Sequence, residues 1–434
     1  MSHGSKSVRT ISAEGLARVE GEGSLRVRVH DGLVTDVALE IFEPPRYFEA
    51  LLLGRHFSEA PDITARICGI CPVAYQMSAC LAMEDACDVV LDERITALRR
   101  LLYCGEWIQS HALHIYLLHA PDFLGCADAV ALAELDPASV TRGLELKRTG
   151  NLVMRTVGGR AVHPVNVRVG GFYRAPDVAS INALAEPLRN ARDAALRTVE
   201  WVSGFEFPDV TNEYRFVALD QLGGYAIDGG NPASSDGLAL SPAQFAEIAV
   251  EEHVARSTAL QATLGGVHRY LTGPLARFAL NAERLPAIAR EAASAAGLEG
   301  PCGNPFRSIV VRAVELVFAC DEALRLVEQY EPPNQPAVEV IARRATGTAA
   351  TEAPRGLLLH QYDLDDEGII RRARIMPPTS QNQLSIEDDL RRVVESGLAL
   401  DDDELQWRCE QAVRNHDPCI SCAAHFLDLT VERS

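Results

Sequence analysis

The chain has 434 residues, of which 47% are hydrophobic and 23% charged, with a formal net charge of −19. That is enough apolar material for a large core, and its negative field opposes nucleic acid unless a basic patch overrides it; none is present, so no nucleic-acid partner is expected. The longest uncharged stretch, residues 67–83, contains Gly69, Pro72, Gln76 and Ser78 and is too short and polar to span a bilayer.

The first ten residues, MSHGSKSVRT, lack the apolar segment of a secretory signal, so residues 1–10 read as a flexible leader and the chain as cytoplasmic. In that compartment its eleven cysteines read as thiols or metal ligands, not disulfides. Next, SLRVRVH alternates Leu25, Val27 and Val29 with polar residues, Asp31-Gly32 supplies a turn, and LVTDVALEIF continues the alternation: a β-hairpin. Helical spacing then predicts helices over 74–88, 92–119, 177–203, 242–265, 283–298 and 305–330. Ser241-Pro242 reads as a helix start, as does the capping box Ser385-x-x-Asp388, whose helix Gly397 would close. With no repeat or long linker, the pattern predicts one mainly α domain over 11–425 with a β-rich N-terminal edge, an α+β fold.

Two Cys-x-x-Cys pairs stand at opposite ends, Cys68/Cys71 and Cys419/Cys422. Four thiolates are a soft donor set suited to zinc, nickel, iron or an iron–sulfur cluster. In zinc ribbons the pairs lie roughly 15–20 residues apart. Here nearly the whole chain intervenes, so a shared metal would require the fold to bring both termini to one buried place. A structural zinc and two separate redox pairs are the alternatives on spacing alone.

In chain order the sequence also carries RVEGEG (18–23), RICGIC (66–71), SHALHIYLLHAPDF (110–123), GGRAVHPVNVRVGGF (158–172), GPLARF (273–278), APRG (353–356), PPTSQN (377–382) and DPCISCAAH (417–425). Together these resemble the large, catalytic subunit of nickel–iron hydrogenases along nearly the whole chain. The short length and NPFRSIVVRAVELVFACDEA (304–323) are most similar to the cytoplasmic, bidirectional, NAD(P)-linked group.

The resemblance implies a multihelical fold whose termini meet at a buried nickel site. Cys68 and Cys419 would be terminal nickel ligands, and Cys71 and Cys422 would bridge to an iron bearing cyanide and carbonyl ligands. Cys419 would take the proton from dihydrogen and Glu20 would relay it. Arg355 would overhang the metals, held by Asp122 and Asp417, while Pro354, Pro378 and Ser380 would surround the cyanides. Glu49 and His425 would bind magnesium or a similar ion, and His111, His114 and His163 read as supporting or structural. Tyr75 and Glu22 depart from the family, which commonly has His at both places.

The resemblance further implies partners: an iron–sulfur small subunit, and flavin- and NAD(P)-binding diaphorase subunits with further iron–sulfur clusters. This chain has neither a further cysteine cluster nor a G-x-G-x-x-G loop to carry those groups itself. A maturation endopeptidase would remove residues 426–434; the alternation in FLDLTVE leaves open a retained strand. Two other classes remain: a relative of the quinone-site subunit of respiratory complex I, which lacks the four cysteines, and a zinc-stabilised scaffold.

Overall fold

The computed structural model describes residues 8–221 and 223–424. The expected hairpin forms the strands β2 (Gly23–His30) and β3 (Leu33–Ile41), and a strand β1 (Val8–Ala13) adds antiparallel to β2. Val8, Arg9 and Thr10 therefore belong to the sheet and not to a leader; their partners are His30, Val29 and Arg28. Leu25, Val27 and Val29 point inward as the alternation requires. Asp31 and Gly32 both take positive φ, 51° and 79°, the backbone a two-residue hairpin turn needs.

The core is helical. Helix α1 (Pro72–Cys87) carries small and apolar residues on every side and is buried nearly all round, so it shows no amphipathic stripe. Beside it run α2 (Glu93–Leu113), α3 (Pro137–Gly158), α4 (Ala185–Ser203), α5 (Pro274–Asn281) and α6 (Ser308–Glu328). Helix α2 packs on α3 and α6, and α6 on α4. The α2–α3 contact is close because a Cβ on Gly150 would stand 2.6 Å from the Gly105 carbonyl oxygen.

A second antiparallel sheet, β4 (Ala345–Ala353), β5 (Gly356–Leu364) and β6 (Ile370–Met376), lies against α1. Ala353 pairs with Gly356, so Pro354 and Arg355 form a two-residue hairpin loop. Helices α7 (Pro378–Ser396) and α8 (Asp402–Asn415) then carry the chain back under the first sheet. Ile386, Leu390, Val393, Leu405 and Val413 pack against Ile11, Leu25, Val27 and Leu39. That contact brings the two ends of the chain together.

Several sequence expectations need correction. The helix expected over 242–265 stops at Ile248 and gives way to an antiparallel hairpin of Ala249–His253 with Leu260–Leu264. Ser385 caps nothing: it lies inside α7, and its hydroxyl donates to the Tyr270 carbonyl at 2.8 Å. Gly397 ends that helix as expected. The 92–119 helix holds, but its last stretch, His114–His119, widens into a π-helical turn. Helix α3 and the second sheet were not anticipated. No helix among the described residues is long and apolar enough to cross a membrane.

The core encloses a charged cluster. Arg277 of α5 binds Glu315 of α6 at 2.7 Å and Glu352 of β4 at 3.0 Å, and all three side chains are fully buried. Burial pushes both carboxyls up. Arg277 and His111 overcome this at Glu315 and hold it down at about 2, whereas Glu352 remains up at about 7. A carboxyl raised in the folded state leaves the fold with more bound protons than the unfolded chain, so stability falls as pH rises from its ordinary 4.5 to about 7. Glu352→Gln should therefore gain thermal stability relative to wild type progressively across that pH window. A difference in Tm independent of pH would contradict this.

Candidate metal centre

The four cysteines sit where elements begin. Cys68 follows the turn Ala65–Ile67, Cys71 immediately precedes α1, and Cys419 immediately precedes a last helical turn, Ile420–Ala423, that contains Cys422. Their Sγ atoms all lie within 4.8 Å of one another in a buried place. Cys68 stands 3.4 Å from Cys419, and Cys71 3.8 Å from Cys422. Cys419 and Cys422 are in direct sulfur–sulfur contact, and it is their reduced form that offers two thiolates.

The donor set fits a metal. Four sulfurs about roughly 2.3 Å from one ion, arranged tetrahedrally, would be about 3.8 Å apart. The backbone N–H groups of Ile70 and Cys71 donate to Cys68 Sγ at 3.3 and 3.4 Å. A hydrogen bond from Cys71 and the charge of Arg355 lower the Cys68 pKa against the opposing effect of burial. Cys71, as the donor of that pair, is pushed well up by it and by burial. A cation would favour both as thiolates.

Around the sulfurs, the sequence-derived residues divide. Glu20 pairs with Cys419 in a parallel β-bridge, its carbonyl accepting the Ile420 N–H at 2.9 Å. The Cys419 thiol donates to Glu20 Oε2 at 3.0 Å, and the Ser421 N–H reaches the same oxygen at 3.1 Å. Glu20 is half-buried, not buried as its relay role anticipates. Arg355 donates through Nε to the Asp417 carbonyl at 2.8 Å and through Nη2 to Asp417 Oδ1 at 3.2 Å. Burial opposes its charge, but Asp417, Cys71 and Cys68 raise its pKa, which places the guanidinium within electrostatic reach of the thiols.

Asp122 does not hold Arg355. Arg414 takes both its oxygens, at 2.7 and 2.8 Å, and Arg18 adds a contact at 2.5 Å, so a forked pair and a second cation fill the carboxylate. Pro354 and Pro378 are buried at the starts of their loop and helix. The Ser380 hydroxyl, Arg355 Nη1 and Asp417 Oδ2 are buried with no hydrogen-bond partner among the described residues. Orphaned polar atoms beside four sulfurs fit a bound group that carries acceptors and donors of its own.

Glu49 is half-buried; burial raises its pKa to about 7, and its carboxylate accepts the Ile375 N–H at 2.7 Å. His425, its expected partner, lies outside the described residues. The Arg46 N–H donates to the Ala424 carbonyl at 3.0 Å, which sets the end of the described chain beside the short helix Phe48–Leu52 that carries Glu49. The three histidines are bound within the fold: His163 to the Ala65 carbonyl at 2.7 Å, His114 to that of Arg414 at 2.8 Å, and His111 beside Glu315 at 3.1 Å. Tyr75 is buried, with its ring 5.7 Å from that of His360.

Sequence reasoning missed several supports. Arg46 Nη2 donates to the Ile67 carbonyl at 2.7 Å and to that of Ser421, stapling both Cys-x-x-Cys segments with one nitrogen. Glu106, fully buried on α2, accepts the Val73 and Ala74 N–H groups at 2.6 and 3.1 Å and so caps α1 just after Cys71. One turn on, Gln109 holds the Ile70 carbonyl at 2.6 Å. The i, i+3 pair of long polar residues in the mainly apolar second half of that helix was the available signal. Thr379 accepts the Cys419 N–H at 2.9 Å.

Over 425 aligned residues the chain is 33% identical to the sulfhydrogenase 1 alpha subunit of Pyrococcus furiosus, covering 96% of this chain and 98% of that one. The chain belongs to the nickel-dependent hydrogenase family. The family's sequence model, described as nickel-dependent hydrogenase, matches residues 46–143. Among other relatives of this hydrogenase is the beta subunit of the NAD-reducing hydrogenase HoxS of Cupriavidus necator, 27% identical over 96% of this chain and 95% of that subunit. The crystal structure of an NAD+-reducing [NiFe]-hydrogenase in its H2-reduced state superposes with a TM-score of 0.86 at 25% identity, covering 96% of this chain and 99% of that one. The chain is thus a nickel-dependent hydrogenase large subunit and acts on dihydrogen.

If all four sulfurs hold the metals, Cys422→Ser should lose nickel and hydrogen activity together, because a weakly acidic hydroxyl cannot replace a thiolate. Elemental analysis of the purified variant checks this; wild-type nickel with preserved activity would contradict it.

Proposed function

We propose that this hydrogenase interconverts dihydrogen with protons and electrons at a nickel–iron centre held by Cys68, Cys71, Cys419 and Cys422, and feeds the electrons towards NADP or NAD. The observation that carries the reading is the 3.0 Å contact between Cys419 Sγ and Glu20 Oε2 at the edge of the four-sulfur cluster. Cys71 and Cys422 would be shared with the iron, while Cys68 and Cys419 would hold nickel alone. When bound, the centre would supply the Lewis acidity that polarises dihydrogen for heterolytic cleavage.

The protein's part is to move the proton and order the surroundings. Cys419 Sγ receives the proton and passes it to Glu20, whose carboxylate is within hydrogen-bond reach. Ser421 orients Glu20 and a second carboxylate together, its N–H donating to Glu20 at 3.1 Å and its hydroxyl to Glu43 at 2.8 Å. Arg355 keeps a fixed positive charge over the site, with Asp417 setting its orientation, and Ser380, Pro354 and Pro378 line the place of the iron's cyanides. Asp122 acts one layer further out, through Arg414. Glu49, with His425, anchors the C-terminus through a magnesium or similar ion.

Electrons leave through an iron–sulfur small subunit to flavin- and NAD(P)-binding subunits; the NAD-reducing enzymes among the relatives support this acceptor and a cytoplasmic setting. Residues 426–434, outside the described residues, are a tail that a maturation endopeptidase removes after His425 once the metals are loaded. Two measurements follow. Glu20→Gln should keep both metals but exchange hydrogen with deuterium oxide roughly 100-fold more slowly, since an amide relays no proton; wild-type exchange would send the proton by another route. The intact mass of the active subunit should correspond to a chain ending at His425, and full activity in a chain ending at Ser434 would refute processing.

A further inference from the structure

GPLARF (273–278) has no role in the chemistry above, yet it lies directly beneath Arg355. We infer that Gly273 and Arg277 of this motif are positioning residues that fix the 353–356 loop and thereby the free guanidinium nitrogen of Arg355; the inference rests on the catalytic reading of Arg355. A two-residue loop carrying a long, flexible side chain does not by itself hold a charge to the accuracy catalysis requires. Among the described residues the guanidinium has one anchor, Asp417, and Nη1 has no hydrogen-bond partner. With Nε and Nη2 held by Asp417, the placement of Nη1 depends further on the backbone beneath it.

Arg277 uses every donor it has, two of them on that backbone. Nε and Nη2 bind the two oxygens of Glu315 at 2.7 and 2.8 Å, and Nη1 binds Glu352 at 3.0 Å. The remaining proton on each terminal nitrogen goes to a carbonyl of the loop, Ala353 and Pro354, both at 3.0 Å. The guanidinium also lies 4.4 Å from the Trp107 ring centroid. All five N–H groups are thus used, and two of them hold the peptide groups immediately before Arg355.

Gly273 supplies the other half. It takes φ +104°, and a Cβ there would stand 2.6 Å from the Arg355 carbonyl oxygen. Across from it Gly356, at φ +139°, would place a Cβ 2.8 Å from the Gly273 nitrogen. The glycines of the two motifs therefore pack backbone against backbone. The Arg277 N–H donates to the Gly273 carbonyl at 2.9 Å, so both contacts come from one helical turn. Three buried ionic side chains cost stability that an apolar cluster of the same volume would not. What they add is direction, at the carbonyls that carry Arg355.

The test is a double-mutant cycle on the assembled, nickel-loaded complex, reading turnover, nickel content, Tm and the infrared bands of the iron's carbonyl and cyanide ligands. Arg355→Lys alone should lower turnover roughly 100-fold. Gly273→Ala, whose Cβ would press on the Arg355 carbonyl, should lower turnover about tenfold or more, shift the infrared bands and lower Tm by a few degrees, while leaving nickel content near wild type. On the Arg355→Lys background Gly273→Ala should add less than about a twofold loss, because both act on the same group. If Gly273→Ala loads no nickel, Arg277→Lys, which keeps the charge but not the fork, is read in the same cycle. Full additivity, or a change in Tm with unshifted bands, would overturn the inference. Wild-type turnover in Arg355→Lys would instead sink the reading beneath it, and the inference with it.

Discussion

Two cysteine segments 351 residues apart must present their sulfurs within 4.8 Å, and the rest of the structure is organised by that closure. The entropy of closing a loop grows only slowly with its length, so the distance in sequence is less demanding than the local fixing of each end. The first sheet packed on α7 and α8 makes the coarse approach. The Glu20–Cys419 bridge and the Arg46 nitrogen shared between the Ile67 and Ser421 carbonyls make the fine one. These are directional contacts, and they leave the sulfurs little freedom once the chain is closed.

The same logic explains why so much charge is buried. Apolar packing sets distance but not orientation, whereas a carboxylate on two N–H groups or a guanidinium on two carbonyls sets both. Glu106 and Gln109 hold the first cysteine segment from α2, Arg414 fixes Asp122 just ahead of the second, and Arg277 holds the loop of Arg355. Each lies one layer behind a residue at the centre. Function in this hydrogenase therefore extends into what composition alone presents as core.

Much of this was legible in the sequence, for physical reasons. The β2–β3 hairpin showed because one face is buried and one wet, and α6 because its length and spacing are helical. The cysteines showed through their spacing and Glu20 through its motif. Strand β4 did not, since ATGTAATEA is buried on both faces over most of its length and has no alternation to read. The hairpin at Ala249–His253 was hidden in a run of Ala, Glu and Val that also fits a helix. Asp122 was matched to the wrong arginine because its true partner lies 292 residues away, and no spacing rule links the two. Helix α3 escaped notice with Gly143 and Gly150 in its interior, residues that weaken helix propensity but permit the close contact with its neighbours.

The central claim is that all four sulfurs surround one nickel next to an iron. Nickel K-edge X-ray absorption on the purified, active complex tests it most directly. The account predicts a nickel shell of sulfur donors from four cysteines with iron as the nearest metal. A shell containing nitrogen or oxygen ligands in place of any cysteine, or zinc occupying the site in the active enzyme, would contradict it.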